Sequence, residues 1–184
     1  MRQPQGLFSD YDFSKERGES GTSTPVKLEL EAFGNKIRLE SVEHGEAFDA
    51  SGALILHRVG EPDQVAFSVA EHDLMRGAYF THNHPKNLSF PVQDVKIAIQ
   101  NEFLALRAVG PQFRHIMEMP VGGWPSVARL FQVMCESFER ATHVVDEKVW
   151  IEGLAPQLRE TEYLHQVWTL TATRLGILYR REYS

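Results

Sequence analysis

The chain has 184 residues, enough for one domain with a sizeable core. Its 19 basic and 25 acidic side chains give a formal charge of -6, which argues against a nucleic-acid backbone as the main partner, because such proteins carry a basic patch. A single cysteine excludes an intrachain disulfide framework, no apolar run approaches the roughly 20 residues that span a bilayer, and no apolar signal core is present, so a cytoplasmic location without a membrane partner is expected.

Residues 1–24 are polar, with Gly18, Gly21 and a Ser/Thr-rich stretch, and read as a flexible tail whose anchors are Leu7, Phe8, Tyr11 and Phe13. Val26, Leu28 and Leu30 then alternate, and Ile37 and Leu39 follow Gly34-Asn35, which predicts a β-hairpin. Further strands are predicted over 54–59 and 64–68, a short helix over 71–76 and a strand over 78–80 leading into His82. Glu71 and His72 fall on that short helix as surface groups. A helix is predicted over 91–109, with Val92, Val95, Ile99, Phe103 and Leu106 on its apolar side. A strand over 113–119 follows, carrying a structural His115.

Gly122-Gly123 and Pro125 mark a boundary between a domain of residues 25–121 and a helical extension, 122–184. Helices are predicted over 125–148 and 156–178, with apolar stripes through Leu130, Met134 and Ala141 and through Leu164, Val167 and Leu175. Cys135 falls among Phe131, Met134 and Phe138 and reads as a small core residue. Such helices cover a sheet, pair as a hairpin or form a homodimer; core packing is the default, and Trp150, Trp168 and Tyr179 are the aromatic residues an interface would use. Arg174, Arg180 and Arg181 form the one basic cluster, near a helix C-terminus that favours cations. Strands and helices together give an α/β (α+β) class with two C-terminal helices.

The chemistry concentrates in His82-Asn83-His84-Pro85 and in Asp94, ten residues beyond the second histidine. On a strand, side chains two apart share a face, so His82 and His84 converge while Asn83 looks away. Asp94 opens the following helix, where an acid complements the macrodipole and can also swing back toward the histidine pair. Two nitrogens and one oxygen with a fourth position left over is the pattern of catalytic zinc; structural zinc is usually closed by four protein ligands. No H-E-x-x-H motif and no cysteine pair offers another zinc site, and the contiguous letters H-N-H do not match nucleases whose named residues are scattered along a ββα unit.

Residues 81–94, THNHPKNLSFPVQD, resemble the signature of the JAB/MPN (JAMM) metalloproteases, H-x-H-P followed by S-x-x-D. The run from Glu43 to about Pro120, a little under half the chain, is similar to short JAB-like modules of phage head-morphogenesis and bacterial toxin-type proteins. The resemblance implies a mixed sheet flanked by helices, with Zn2+ held by His82, His84 and Asp94. It implies a glutamate, Glu43 or Glu46, as general base; Glu43 is preferred for its place before the D-x-x-G turn at Asp49 to Gly52. The implied reaction is hydrolysis of a peptide or isopeptide bond in a protein or peptide substrate by metal-activated water. Two features depart from the pattern: the loop before Asp94 is one residue shorter than in deubiquitinating members, and Pro91 stands where the family has its serine. Ser89 or a backbone N–H is then left to cover the oxyanion, and loss of one such donor costs about a hundredfold to a thousandfold in turnover. The same resemblance with a weak or absent activity implies a binding or assembly module.

Overall fold

The computed structural model describes residues 24–184; the expected tail up to residue 23, with its four apolar anchors, lies outside the described residues, and Thr24 is the N-cap of the first helix. The first described element is a helix, α1 (Pro25–Ile37), where alternation predicted a hairpin. Val26, Leu30, Phe33 and Ile37 are buried at helical spacing, whereas Leu28, which the hairpin pattern required inside, is 57% exposed. Pro25 suits the first turn, where its missing N–H costs nothing. Gly34 is no turn residue: it lets α1 approach the sheet, since a Cβ there would meet Val109 Cγ1 at 3.1 Å.

Six strands form one mixed sheet in the order β2-β1-β3-β4-β5-β6. β1 (His44–Phe48) is antiparallel to β2 (Leu54–Val59) and to β3 (Tyr79–Asn83). Residues 64–68, predicted as a strand, are an extended loop beyond an isolated Glu61–Gln64 bridge, followed by α2 (Val69–Leu74). β3 is parallel to β4 (Ala105–Val109), and α3 (Val92–Gln100) makes the crossover between them. The single helix predicted over 91–109 is therefore a helix and a strand. Asn101 caps α3, Glu102 takes a positive φ of 53°, and the chain returns along the sheet. β4 is central and buried throughout, so its residues, apolar except for Arg107, carry no alternation by which to recognise a strand. β5 (Phe113–Glu118) and β6 (Leu178–Tyr183) complete the sheet in antiparallel fashion.

The sheet is covered on both faces. α1 packs Val26, Leu30, Phe33 and Ile37 against Phe48, Tyr79 and Val109 on one face. The other face carries the larger core, including Phe80, Phe90, Phe103, Leu106, Met117, Leu130 and Trp168. α4 (Val127–Trp150) and α5 (Arg159–Leu175) pack against each other, and the pairs Arg159–Asp146 and Arg174–Glu136 show that they run antiparallel. The buried stripe of α4 is Leu130, Val133, Met134, Ser137, Ala141 and Val145, which turns Cys135 outward; it is exposed, not a core residue. Of the three aromatic residues that an interface would use, Trp150 is 84% exposed, but Trp168 is buried and donates its indole N–H to Phe90 O at 2.6 Å, and Tyr179 bonds Ser89. Arg174, Arg180 and Arg181 are each engaged by carboxylates. No helix among the described residues is long and apolar enough to cross a membrane.

Candidate metal centre

Strand alternation fixes which side chains meet. On β3, Tyr79 packs on the α1 face and Phe80 in the larger core, so Thr81 and Asn83 face α1 while His82 faces the larger core with Phe80. His84, one residue past the strand, keeps that direction, because its N–H still bonds Val109 O at 2.8 Å. Phe80 stacks on the His82 ring at 5.3 Å between centroids, and Phe90 flanks both imidazoles, which holds their planes.

Asp94 reaches the pair from the first turn of α3. His82 Nε2 lies 2.8 Å from His84 Nε2 and 3.0 Å from Asp94 Oδ2, and His84 Nε2 lies 3.2 Å from the same oxygen. The three could hold one metal ion. The chemistry of the donors fits one. Nδ1 of His84 is 2.9 Å from Leu88 O, a group that only accepts, so Nδ1 carries the proton and the neutral ring offers its Nε2 lone pair to the triad. Two imidazole nitrogens aimed at each other need a proton or a cation between them. Donor spacings of 2.8 to 3.2 Å are within a few tenths of an ångström of the about 3.3 Å expected around a tetrahedral ion with bonds of 2.0–2.1 Å.

Charge at the site is consistent with that. Burial opposes ionisation of Asp94, but His82 and His84 beside it outweigh burial and hold its carboxyl below the usual carboxylate range. Burial likewise opposes protonation of His84, and the hydrogen bond and charge of Asp94 overcome it and raise its pKa. Asp94 is available because its helix is not capped by a side chain. Pro91 occupies the N-cap and has neither a hydroxyl nor an N–H to engage an acid three residues on.

Of the two glutamates considered, the structure brings one to the triad. Glu43 is buried and borders the same cleft as His82 and Asp94. Burial raises its pKa, and the nearby charges of His82 and His84 offset this only in part. Glu46 lies on the α1 face of β1, 2.9 Å from His57 Nδ1, and does not meet the triad. Ser89 is buried with its Oγ 2.9 Å from Tyr179 Oη, so its hydroxyl is engaged away from the cleft lining.

Asn83 is the residue that sequence reasoning left without a role. Its Oδ1 accepts from His44 N at 2.7 Å, and its Nδ2 donates to Val42 O at 3.0 Å and Glu40 O at 3.4 Å. It thereby ties the segment carrying Glu43 to the strand carrying both histidines. The one legible signal was a buried-side polar residue between two histidines on a strand. The cleft itself has a volume of about 450 Å³, floored by Phe80 and Leu106 and walled by the 64–67 loop and by Gln93 and Ile97 of α3.

No family model matches this chain, and no curated protein or solved structure matches it.

Proposed function

We propose that the chain is a zinc-dependent hydrolase of the JAMM type that cleaves a peptide or isopeptide bond in a protein or peptide substrate. The observation that carries this reading is Glu43: a buried carboxylate with a raised pKa beside a two-histidine, one-aspartate donor set that borders an open cleft. His82, His84 and Asp94 would hold the ion, which when bound supplies Lewis acidity toward water and an amide carbonyl. Glu43 takes a proton from water and returns it to the departing amine, a task suited to a carboxylate whose pKa lies above its ordinary value. Asn83 keeps Glu43 in place, and the 64–67 loop and α3 flank the chain to be cut.

The test is metal content and hydrolysis measured together, using unfolded casein and a lysine ε-linked peptide as substrates. Wild type is expected to carry about one zinc per chain and to hydrolyse one of them. Glu43→Gln should keep the zinc and lose at least about a hundredfold in kcat, since general-base catalysis contributes about 10² to 10⁴. Hydrolysis undiminished in Glu43→Gln would overturn the assignment. A second reading has support in one observation: Pro91 offers no hydroxyl, and that of Ser89 is bonded to Tyr179. A metal-holding assembly module would carry zinc, hydrolyse neither substrate and be indifferent to Glu43→Gln.

A further inference from the structure

The sheet face under α1 holds a row of polar groups without partners. Thr81 on β3 and Arg107 on β4 are register partners, and Arg114 on β5 is the register partner of Val109, two residues beyond Arg107 on β4. Cross-strand partners share a face, and so do residues two apart, so all three side chains lie on the Val109 face that α1 partly covers. Thr81 is fully buried and Arg107 is 6% exposed. Thr81 Oγ1, Arg107 Nε and Arg114 Nε are all sealed from solvent with no hydrogen-bond partner.

The acids of that face are engaged elsewhere: Glu182, the register partner of Arg114, is bonded by Arg180, and Glu46, the register partner of Thr81, lies 2.9 Å from His57 Nδ1. Arg180, on the same face through its pairing with Ile116, binds Glu118 at 2.7 Å and Glu182 at 2.8 Å. Glu31 and Glu182 act on Arg107 only at a distance; burial first, and then repulsion from Arg114, bring its pKa down to about 10. Two guanidinium groups on one sheet face, one almost entirely buried and neither bonded to a carboxylate, are unfavourable unless a counter-charge joins them. Water would satisfy the Thr81 hydroxyl but would not balance two positive charges.

We propose that Thr81, Arg107 and Arg114 form a binding site for a phosphate-type oxyanion, on the opposite face of the sheet from the metal triad. Guanidinium forks match the oxygens of a tetrahedral anion, and a threonine hydroxyl supplies a further donor. Two guanidinium groups whose Nε atoms lack acceptors favour an oxyanion with several acceptor oxygens over chloride. The site is separate from the cleft chemistry, although β3 supplies Thr81 to one and His82 to the other.

Titration of the protein with inorganic phosphate, at ionic strength held constant with sodium chloride, tests the site by calorimetry. Saturable binding is expected in wild type and in His84→Ala, which lacks a donor of the metal triad. Arg114→Gln, at a half-buried position that tolerates an uncharged side chain, should weaken binding at least about tenfold, as expected for loss of a charge-assisted hydrogen-bond pair. Thr81→Val keeps the shape of the buried side chain and should weaken it less. A parallel titration with phenyl phosphate separates the sources: equal affinity indicates a phosphate ester, and binding of inorganic phosphate alone indicates the free ion. The proposal is overturned if phosphate binds no better than chloride, if Arg114→Gln binds as wild type does, or if binding vanishes in His84→Ala, which would place the anion at the metal triad.

Discussion

Asp94 and Glu162 are both carboxylates whose ionised form wins against burial, yet their surroundings differ in kind. Glu162 is 1% exposed; Lys148 Nζ lies 2.6 Å from one oxygen, Arg181 2.8 Å from the other, and Gln166 donates at 2.8 Å. Burial raises its pKa, and Arg181, His165 and Lys148 together bring it below the ordinary value. Asp94, 21% exposed in its side chain, faces two imidazoles. The groups that bond Glu162 directly are Lys148, Arg181 and an amide, with His165 acting only through its charge, so both carboxylate oxygens are filled and the cluster is closed and structural. Imidazole protons can leave, so the charge balance at Asp94 is exchangeable, and a divalent cation can take the place of those protons. A shift in the same direction therefore accompanies a closed ion-pair cluster in one region and a group that could hold a metal ion in the other; whether the carboxylate is bonded by fixed cations or by imidazoles decides which.

That contrast can be broken from either side. The largest effect is expected for His84→Ala, which should lower zinc content from about one per chain to none. It should also remove the stabilisation that added zinc is expected to give wild type in thermal melts under the proposed function, about 2.7 kcal/mol at a zinc concentration of a hundred times Kd. Glu162→Gln should do the reverse, keeping the zinc but costing about 3–5 kcal/mol in urea unfolding, because it strands buried cations. The sign of its pH dependence follows from its lowered folded pKa. The stabilisation by Glu162 is complete above its unfolded value of about 4.5 and is lost as pH falls below that. Acidification below about pH 4.5 should thus narrow the gap between wild type and Glu162→Gln. Asn83→Ala falls between the two regions. It should cost about 1–3 kcal/mol for the backbone groups left unsatisfied, and lower kcat while zinc content stays, because Glu43 loses its tether.

How much of this was legible in the sequence depended on whether a local period decided the matter. His82, His84 and Asp94 were readable because strand alternation and a helix first turn are short-range rules that tertiary context did not override. Which of Glu43 and Glu46 borders the cleft of the triad was not given by such a rule. It turns on the β1–β3 register, Gly45 opposite His82, which places residues 43 and 46 on opposite faces. α1 was misread because Val26, Leu28 and Leu30 fit a period of two over five residues, whereas Phe33 and Ile37 complete the helical spacing. β6 was missed because LYRREY is rich in charge, although Gly176 in the left-handed conformation at φ 69° ends α5 just before it. Its Tyr179 then holds the Ser89 hydroxyl, a contact across 90 residues that no local pattern announces.

The smallest expected effect concerns why Asp94 is available at all, and α2 supplies the control. There Ser68 is the N-cap, its Oγ accepts from Glu71 N at 3.4 Å, and the Glu71 carboxylate accepts from Ser68 N at 2.8 Å, so the acid three residues into the helix is engaged in capping. Asp94 occupies the same position relative to Pro91, whose ring nitrogen has no proton to give. Pro91→Ser supplies both halves of a capping box and should compete for Asp94. Zinc affinity, measured by competition with a chromophoric chelator, should fall about twofold to tenfold, while the metal-free protein gains about 1 kcal/mol from the new cap. Ser68→Ala should lose about 1 kcal/mol and leave zinc affinity unchanged, because the Glu71 carboxylate never reaches the triad. If Pro91→Ser raised zinc affinity instead, Asp94 would owe its position to the histidines and not to the missing cap, and the proline would act only by stiffening the turn into α3.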